Sequence, residues 1–472
     1  MSSPLSAPAS ATASRTRWWG LALIALAQFM VIMDASIIGV ALPRMQADLG
    51  FTPHTLSWVF NAYVIALGGL LLLGGRLSDL FGPRRMFATG WVILAAGSLV
   101  AGLADGVAVE LVGRVLQGAG SALIAPAALT LLMMLFGAQP RELTRAMAFY
   151  GAAAPAGGTA GVFLGGVITE FASWPWVFFI NVPIAVLVLL LMWRALPAGK
   201  VGARGSVDVI GALTVTAGIA ALVYGIVRTE AVGWASAETW IAISAGVVLL
   251  AVFVIVQRVT RAPLMRLSIF RSPNLGAANL AQVLLGAAWV PMWFFLNLYL
   301  QQVLGFTAFP AGAALLPMTV LIMIGMIVLA PRIIAAFGPK VPIVAGLVIL
   351  AAGLGWMALI RPDGGYWTDA FGPSLVVAFG QALAFIPSLQ TAISAAPPEE
   401  GGLASGIVNT SYQVGSAVGL AVVSAVAAGF GAGALGDPVA LTSGYSAAFV
   451  VAGAIALLGA VLTLLLFRTR RA

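Results

Sequence analysis

Long apolar runs recur along the whole chain and are separated by short polar connections. Most runs approach the ~20 residues that a helix needs to cross ~30 Å of hydrocarbon, and they lack the alternation typical of a membrane β-strand. The pattern therefore predicts fourteen membrane-spanning helices, at 18–42, 55–75, 86–104, 108–135, 146–168, 174–196, 209–228, 239–257, 275–300, 310–330, 342–360, 372–395, 403–430 and 443–467.

Composition supports an all-α membrane protein. Of the 472 residues, 61% are apolar and 8% are charged, which is too apolar for a water-soluble core of this size. The chain contains 55 glycines. In lipid, small residues let helix backbones approach closely, so this glycine content favours a helical bundle.

The basic residues set the predicted orientation. With a cytoplasmic N-terminus, 19 of the 23 lysines and arginines fall in cytoplasmic connections, Arg44, Arg228 and Arg361 fall outside, and Arg114 lies within a span. The positive-inside rule thus predicts two cytoplasmic termini and an even number of helices. It also accounts for the net charge of +8, so we expect no nucleic-acid partner.

A short repeat divides the spans into six, two and six. Residues 75–85 read G-R-L-S-D-L-F-G-P-R-R and residues 330–340 read A-P-R-I-I-A-A-F-G-P-K, so F-G-P recurs 256 residues later. Each stretch is expected to form the loop after the second helix of a six-helix half. The predicted division is an N-terminal tail at 1–17, a six-helix bundle at 18–196, an inserted two-helix segment at 197–274, a second bundle at 275–467 and a tail at 468–472.

Enzyme and cofactor chemistry is not indicated. The chain has no cysteine and a single histidine, His54, which argues against a metal site, and it has no G-x-x-x-x-G-K-[ST] phosphate loop. We therefore expect no cofactor and no use of ATP. A proton crossing ~100 mV supplies ~2.3 kcal/mol, which makes the proton gradient the expected energy source, and sodium remains an alternative.

Six motifs occur in order: D-A-S-I-I-G-V-A-L-P (34–43), the 75–85 stretch, R-V-L-Q-G-A-G (114–120), G-G-T-A-G-V-F-L-G-G (157–166), W-P-W-V-F-F-I-N-V-P (174–183) and G-L-A-S-G-I-V-N-T-S-Y-Q-V-G-S-A-V-G (402–419). Together they resemble the major facilitator superfamily, specifically its fourteen-helix branch of drug:proton antiporters, over residues 18–467. The resemblance implies two pseudo-symmetric halves that alternate access, and a location in the bacterial cytoplasmic membrane. Four residues depart from the family pattern: Leu80, Pro83, Val162 and Tyr412.

Asp34 and Arg114 are the candidates for proton coupling. Asp34 is the acid that lies well inside an apolar span, where an ionised carboxylate costs ~3 kcal/mol or more. It can hold a proton or a cationic substrate, but not easily both. Counting ~1.5 Å per residue places Arg114 near the same depth, so we expect it to sense Asp34 directly or through Gln117 at i+3. Glu170, near the outer surface, is a further candidate for handling protons.

Gating candidates lie at two places. The resemblance implies that Asp79 pairs with Arg84 or Arg85 and locks neighbouring helices, although such a sequence alone is more typical of a solvated turn. Gly157, Gly161 and Gly165 recur at every fourth position and predict a flat ridge on span 5. That ridge can be a sliding surface or a static packing seam.

Aromatic and amide side chains are candidates for a wall that contacts substrate. The alternative for each is simple packing or anchoring in lipid. In addition to Asp34, the candidates are Trp58 and Asn61 in span 2, Gln282, Trp289 and Trp293 in span 9, and Asn409 and Tyr412 in the polar stripe of span 13.

The favoured function is proton-coupled export of lipophilic, preferably cationic, drugs or toxic compounds by a monomer in contact with membrane lipid. The alternative is an exporter or translocator of a specific lipid, metabolite or endogenous antibiotic, because one fold hosts both functions. A passive channel or a sensor fits the repeated halves and the buried acid less well.

Overall fold

The computed structural model describes residues 11–51, 58–198, 208–260, 263, 267–272, 274–396 and 401–468. His54, parts of both predicted tails and most of the 197–208 connection lie outside these residues. Fourteen long helical elements occur in the described part. They are α1 (Ala11–Leu49), α2 (Trp58–Phe81), α3 (Pro83–Gly102), α4 (Val107–Phe136), α5 (Pro140–Phe171), α6 (Trp176–Ala195), α7 (Val209–Val232), α8 (Ala237–Val259), α9 (Leu275–Val303), α10 (Phe309–Phe337), α11 (Lys340–Met357), α12 (Tyr366–Ser394), α13 (Gly401–Gly429) and α14 (Pro438–Leu466).

Thirteen of these described helices are long and apolar enough to cross a membrane, and α7 contains a shorter apolar stretch, Ile210–Ile226. The fourteen predicted spans are therefore all helical. Local sequence explains several helix starts. Pro83, Pro140 and Pro438 occupy first-turn positions, where proline loses no hydrogen bond. Asp437 caps α14 by accepting hydrogen bonds from the backbone of Val439 and Ala440.

The repeated F-G-P sequence forms tighter connections than predicted. Most of the expected loop at 75–85 is helical, because α2 continues to Phe81 and α3 begins at Pro83. Gly82 has φ +91 and Gly338, its counterpart, has φ +70, a left-handed conformation that favours glycine. The two copies thus make the same turn.

Helix pairing repeats between the first six helices and the last six. In the first set α1 packs on α5, α3 on α4, α2 on α4, and α3 on α6. The counterparts eight helices later make the same pairs: α9 with α13, α11 with α12, α10 with α12, and α11 with α14. Contacts of α2 with α13 and of α5 with α10 join the two sets, and α7 packs across α2 and α13.

Candidate proton-coupling and transport site

A polar cluster lies inside the first six-helix half. Its members are completely or almost completely buried and come from four helices, namely Asp34 of α1, Ser98 of α3, Arg114 and Gln117 of α4, and Asn181 of α6. Buried polar side chains need hydrogen-bond partners, and these five side chains supply most of them to one another. They form one connected hydrogen-bond network.

Asp34 is the centre of this network. Its Oδ1 accepts hydrogen bonds from Gln117 Nε2 at 2.9 Å and from Asn181 Nδ2 at 2.6 Å. Its Oδ2 pairs with Arg114 Nη1 at 3.1 Å. Ser98 Oγ accepts from both amides, at 2.9 Å from Gln117 and 3.1 Å from Asn181. Asp34 and Arg114 thus contact each other directly and through Gln117, and the sensing of Asp34 protonation by Arg114 stays a prediction.

Arg114 is held from several sides. Its Nε donates to the Val59 carbonyl at 2.8 Å and its Nη1 donates to Gln117 Oε1 at 2.7 Å. Its guanidinium carbon lies 4.6 Å from the ring centroid of Tyr63, a cation–π distance. A buried ion pair is stable only when such additional contacts offset desolvation. Any change of charge on Asp34 must therefore alter the arrangement around Arg114.

Four buried residues at or near this network were not predicted from the sequence, namely Ser98, Asn181, Tyr63 and Glu110. Neutral polar residues are common in membrane helices, so Ser98 and Asn181 carry no signal without their position in space. Glu110 falls near the expected start of span 4, where an acid is normally assigned to the surface. In the structure it is fully buried one helical turn from Arg114. Its position inside a predicted apolar span was the available signal.

Glu170, the other predicted proton carrier, belongs to the last turn of α5. Its side chain lies outside the described residues, so its role stays a prediction.

The glycine ridge of α5 packs on α1, within the same half. A Cβ at Gly161 would lie 2.9 Å from the Met33 carbonyl oxygen, and one at Gly165 would lie 2.8 Å from that of Ile37. Gly157 is similarly close to the Phe29 carbonyl. The ridge therefore fixes the helix that carries Asp34. Whether the two helices slide stays a prediction.

Asp79 makes a different contact from the predicted pair with Arg84 or Arg85. Its Oδ2 accepts a hydrogen bond from the backbone N–H of Leu403 at 3.0 Å, at the start of α13 in the other half. Free N–H groups and the helix dipole favour a carboxylate at this position. Arg84 instead donates to the Leu196 carbonyl at 3.1 Å and stacks over Trp193, while Arg85 is exposed.

The predicted substrate residues do not form one group. Trp58 packs against Tyr224 of the inserted helix α7, with 5.5 Å between ring centroids. Asn61 is buried, and its Nδ2 has no hydrogen-bond partner among the described residues. Trp58 therefore lies on the side of α2 that approaches the inserted pair.

The remaining substrate candidates lie in the second half. Gln282 donates to Ser388 Oγ at 2.9 Å and to the Phe385 carbonyl at 3.2 Å, so its amide joins α9 to α12. Tyr412 contacts the Phe385 ring with centroids 5.7 Å apart. Two further aromatic candidates, Trp289 and Trp293, are half-buried neighbours on α9, 6.4 Å apart, and Asn409 donates to the carbonyl of Ser405 in its own helix.

A small apolar pocket lies between α2, α7 and α13. It adjoins the contact between the two halves, and none of the predicted substrate residues lines it. Its lining residues are Val64, Gly68, Ile219, Val223, Thr410, Gln413, Val414 and Ala417.

Comparison with known proteins agrees with this architecture. Residues 24–420 match the Major Facilitator Superfamily. The chain is 41% identical to the cephamycin export protein CmcT of Amycolatopsis lactamdurans, covering 94% of this chain and 91% of that protein. It is 34% identical to the puromycin resistance protein pur8 of Streptomyces alboniger, covering 96% and 92%. Among solved structures, the proton:xylose symporter XylE is similar with a TM-score of 0.69 at 14% identity, covering 96% of each chain.

Three observations indicate the same family: the match over most of the chain, the repeated helix pairing and the number of apolar helices. This protein is an integral membrane transporter of small molecules rather than an enzyme, and the chain belongs to the Major Facilitator Superfamily.

Proposed function

We propose that this protein exports a lipophilic, preferably cationic, antibiotic or other toxic compound in exchange for protons. The observation that carries the proposal is the fully buried Asp34, whose carboxylate is balanced by Arg114 and by two amide donors. A buried acid with a fixed positive partner can exchange a proton only by rearranging its surroundings. That property is what coupling requires.

The relatives support export of antibiotics without defining the cargo. Their names include cephamycin export, puromycin resistance and lincomycin resistance, which concern chemically different compounds. The substrate of this chain therefore has to be identified by experiment.

In the proposed cycle, cargo enters from the cytoplasm or the inner leaflet while Asp34 is protonated. Binding favours loss of the proton, and Arg114 then compensates the carboxylate, which changes the packing around α1 and α4. The halves reorient by breaking contacts at one end and forming them at the other. The contact of Asp79 with Leu403 and that of Thr144 with Gln390 are candidates for such exchangeable contacts.

The test uses purified protein in proteoliposomes with an imposed pH gradient and ethidium as the cargo. The wild-type protein is expected to move the dye faster with the gradient than without it, and Asp34→Asn is expected to lose this acceleration. Asp105→Asn, which changes an exposed carboxylate in the α3–α4 connection, is the matched control and should retain it. Gradient-independent movement of phospholipid by the wild-type protein, with no dye transport, would support the lipid translocator instead.

A further inference from the structure

Glu110 is a second buried carboxyl group beside the Asp34 network. The residue has no exposed surface, and neither of its carboxylate oxygens has a hydrogen-bond partner among the described residues. Arg114 Nη2 is also buried and lacks a described partner. Leaving a charged group buried and unpaired is costly, so this arrangement is unfavourable unless the carboxyl is neutral or pairs with Arg114 in another state.

The spacing allows Arg114 to reach either acid. Glu110 precedes Arg114 by four residues on α4, which places both side chains on the same face one turn apart. Arg114 Nη1 already pairs with Asp34 Oδ2. The guanidinium thus pairs with Asp34 and lies one helical turn from Glu110, and its Nη2 has no partner among the described residues.

The charges near Glu110 come from few elements. Among the described residues, Arg114 on its own helix and Asp34 on α1 are the charged side chains that act on Glu110. Tyr63 of α2 near this arginine is neutral, and α3 and α6 contribute the neutral Ser98 and Asn181. Within the described part of the chain, one positive charge thus acts on two acids. Ionising both would leave a net negative charge buried in the bundle, so one proton is retained between them.

We propose that Glu110 is a second proton-carrying residue of the transporter and exchanges one proton with Asp34. In this step the O–H bond of the Glu110 carboxyl breaks, an O–H bond forms on the Asp34 carboxylate, and Arg114 remains protonated while its ion pair shifts from Asp34 to Glu110. Glu110 lies in the first turn of α4, just after the exposed Asp105. It is therefore the acid between the α3–α4 connection and Asp34, and it relays protons at that end of the bundle.

A helix-capping role does not explain this residue. An acid in the first turn can stabilise a helix by accepting hydrogen bonds from free backbone N–H groups. The Glu110 oxygens accept none from the described residues. A change to glutamine therefore removes the titratable proton while removing no observed hydrogen bond.

The inference rests on the proposed proton antiport and is tested with Glu110→Gln in proteoliposomes. The variant is expected to keep the thermal stability of the wild-type protein and to exchange ethidium for ethidium at equal pH. The acceleration of its transport by a pH gradient is expected to fall at least ~10-fold. A side chain that transfers protons commonly contributes ~10²-fold or more to a rate. Asp105→Asn is the matched control and should behave as the wild-type protein does.

The outcomes separate the two proposals. If the wild-type protein exchanges ethidium at equal pH but shows no acceleration by the gradient, proton antiport itself is wrong. If the wild-type protein is accelerated, Asp34→Asn is not, and Glu110→Gln has an unchanged rate and pH profile, the relay alone is overturned. Should the glutamine variant fail to fold, Glu110→Asp keeps a titratable group on a side chain that is one methylene shorter. A shifted pH midpoint of transport in that variant supports the relay, and an unchanged midpoint overturns it.

Discussion

The two six-helix halves share the same helix packing but differ in their buried charged side chains. In the first half a Cβ at Gly120 would lie 2.7 Å from the Gly90 carbonyl oxygen, and in the second half one at Gly380 would lie 2.7 Å from that of Gly346. Likewise, Gly161 of α5 approaches the Met33 carbonyl while Gly419 of α13 approaches that of Ala287. These contacts align the halves residue by residue.

The alignment shows that the buried charged residues of the first half have uncharged counterparts in the second half. Counting from the shared contacts, Asp34 corresponds to Ala288, and the α4 residues Glu110, Arg114 and Gln117 correspond to Ala370, Ser374 and Val377. All four counterparts are small or apolar and buried. The second half instead carries Gln282, Trp289, Trp293 and Tyr412 on α9 and α13. Under the proposed function, the first half handles the proton, and these second-half residues are candidates for the wall that contacts the cargo.

The largest effect is expected from Arg114→Met. Removing one partner of a buried ion pair costs ~3–5 kcal/mol because the remaining charge is uncompensated. The counterpart change, Ser374→Ala, removes a single hydrogen bond to the Phe371 carbonyl and should cost ~1 kcal/mol or less. Thermal transitions in detergent measure both. The loss from Arg114→Met should shrink in an Asp34→Asn background, and equal losses in both backgrounds would show that the pair does not stabilise the fold.

The glycine seams test the part that the halves share. Gly161→Ala and Gly419→Ala each add a Cβ against a helix backbone, and overpacking of this kind costs ~1–3 kcal/mol. Both variants should lower the thermal transition by similar amounts, whereas Gly166→Ala, whose Cβ would meet nothing within 4 Å, should not. Because α1 carries Asp34, only Gly161→Ala should also slow gradient-driven transport. Equal slowing by Gly419→Ala would contradict the division of labour.

Trp289→Ala addresses the proposed cargo wall. Loss of an aromatic face for a cationic dye should raise the half-saturating concentration ~5-fold, equivalent to ~1 kcal/mol. The pH dependence should stay unchanged because no proton carrier is touched. Transport kinetics with ethidium measure both quantities, and Trp240→Ala on the exposed side of α8 is the control. A changed pH profile with an unchanged half-saturating concentration would contradict the placement of Trp289 in the cargo wall.

The smallest effect concerns Asp79, whose acid has no equivalent in the second F-G-P copy. Asp79→Asn weakens a charge–dipole contact with α13 worth ~0.3–1 kcal/mol. The population in which the halves are closed at the contact of Asp79 with Leu403 should therefore fall ~2–5-fold. The chain has no cysteine, so spin labels at two exposed positions, Thr89→Cys and Ser394→Cys, report the distance between halves without background. An unchanged distance distribution would remove Asp79 from the gating account.

The fold was largely predictable, because a span in lipid must be apolar along its whole length and its connections carry the basic residues. The shared depth of Asp34 and Arg114 was also predictable, since helix rise converts residue number into depth, but their contact was not. The partner of Asp79 was not, because Leu403 is distant in sequence and its contribution is a backbone N–H. Ser98 and Asn181 were likewise invisible, because only the packing of α3 and α6 brings them to Asp34.

The central claim is that Asp34 releases its proton when cargo binds. Purified wild-type protein in weakly buffered detergent, carrying a bound proton, should acidify the solution when ethidium is added, as followed by a pH indicator. Asp34→Asn should bind the dye, measured by its fluorescence, and release no proton. Proton release by this variant equal to that of the wild-type protein would contradict the account.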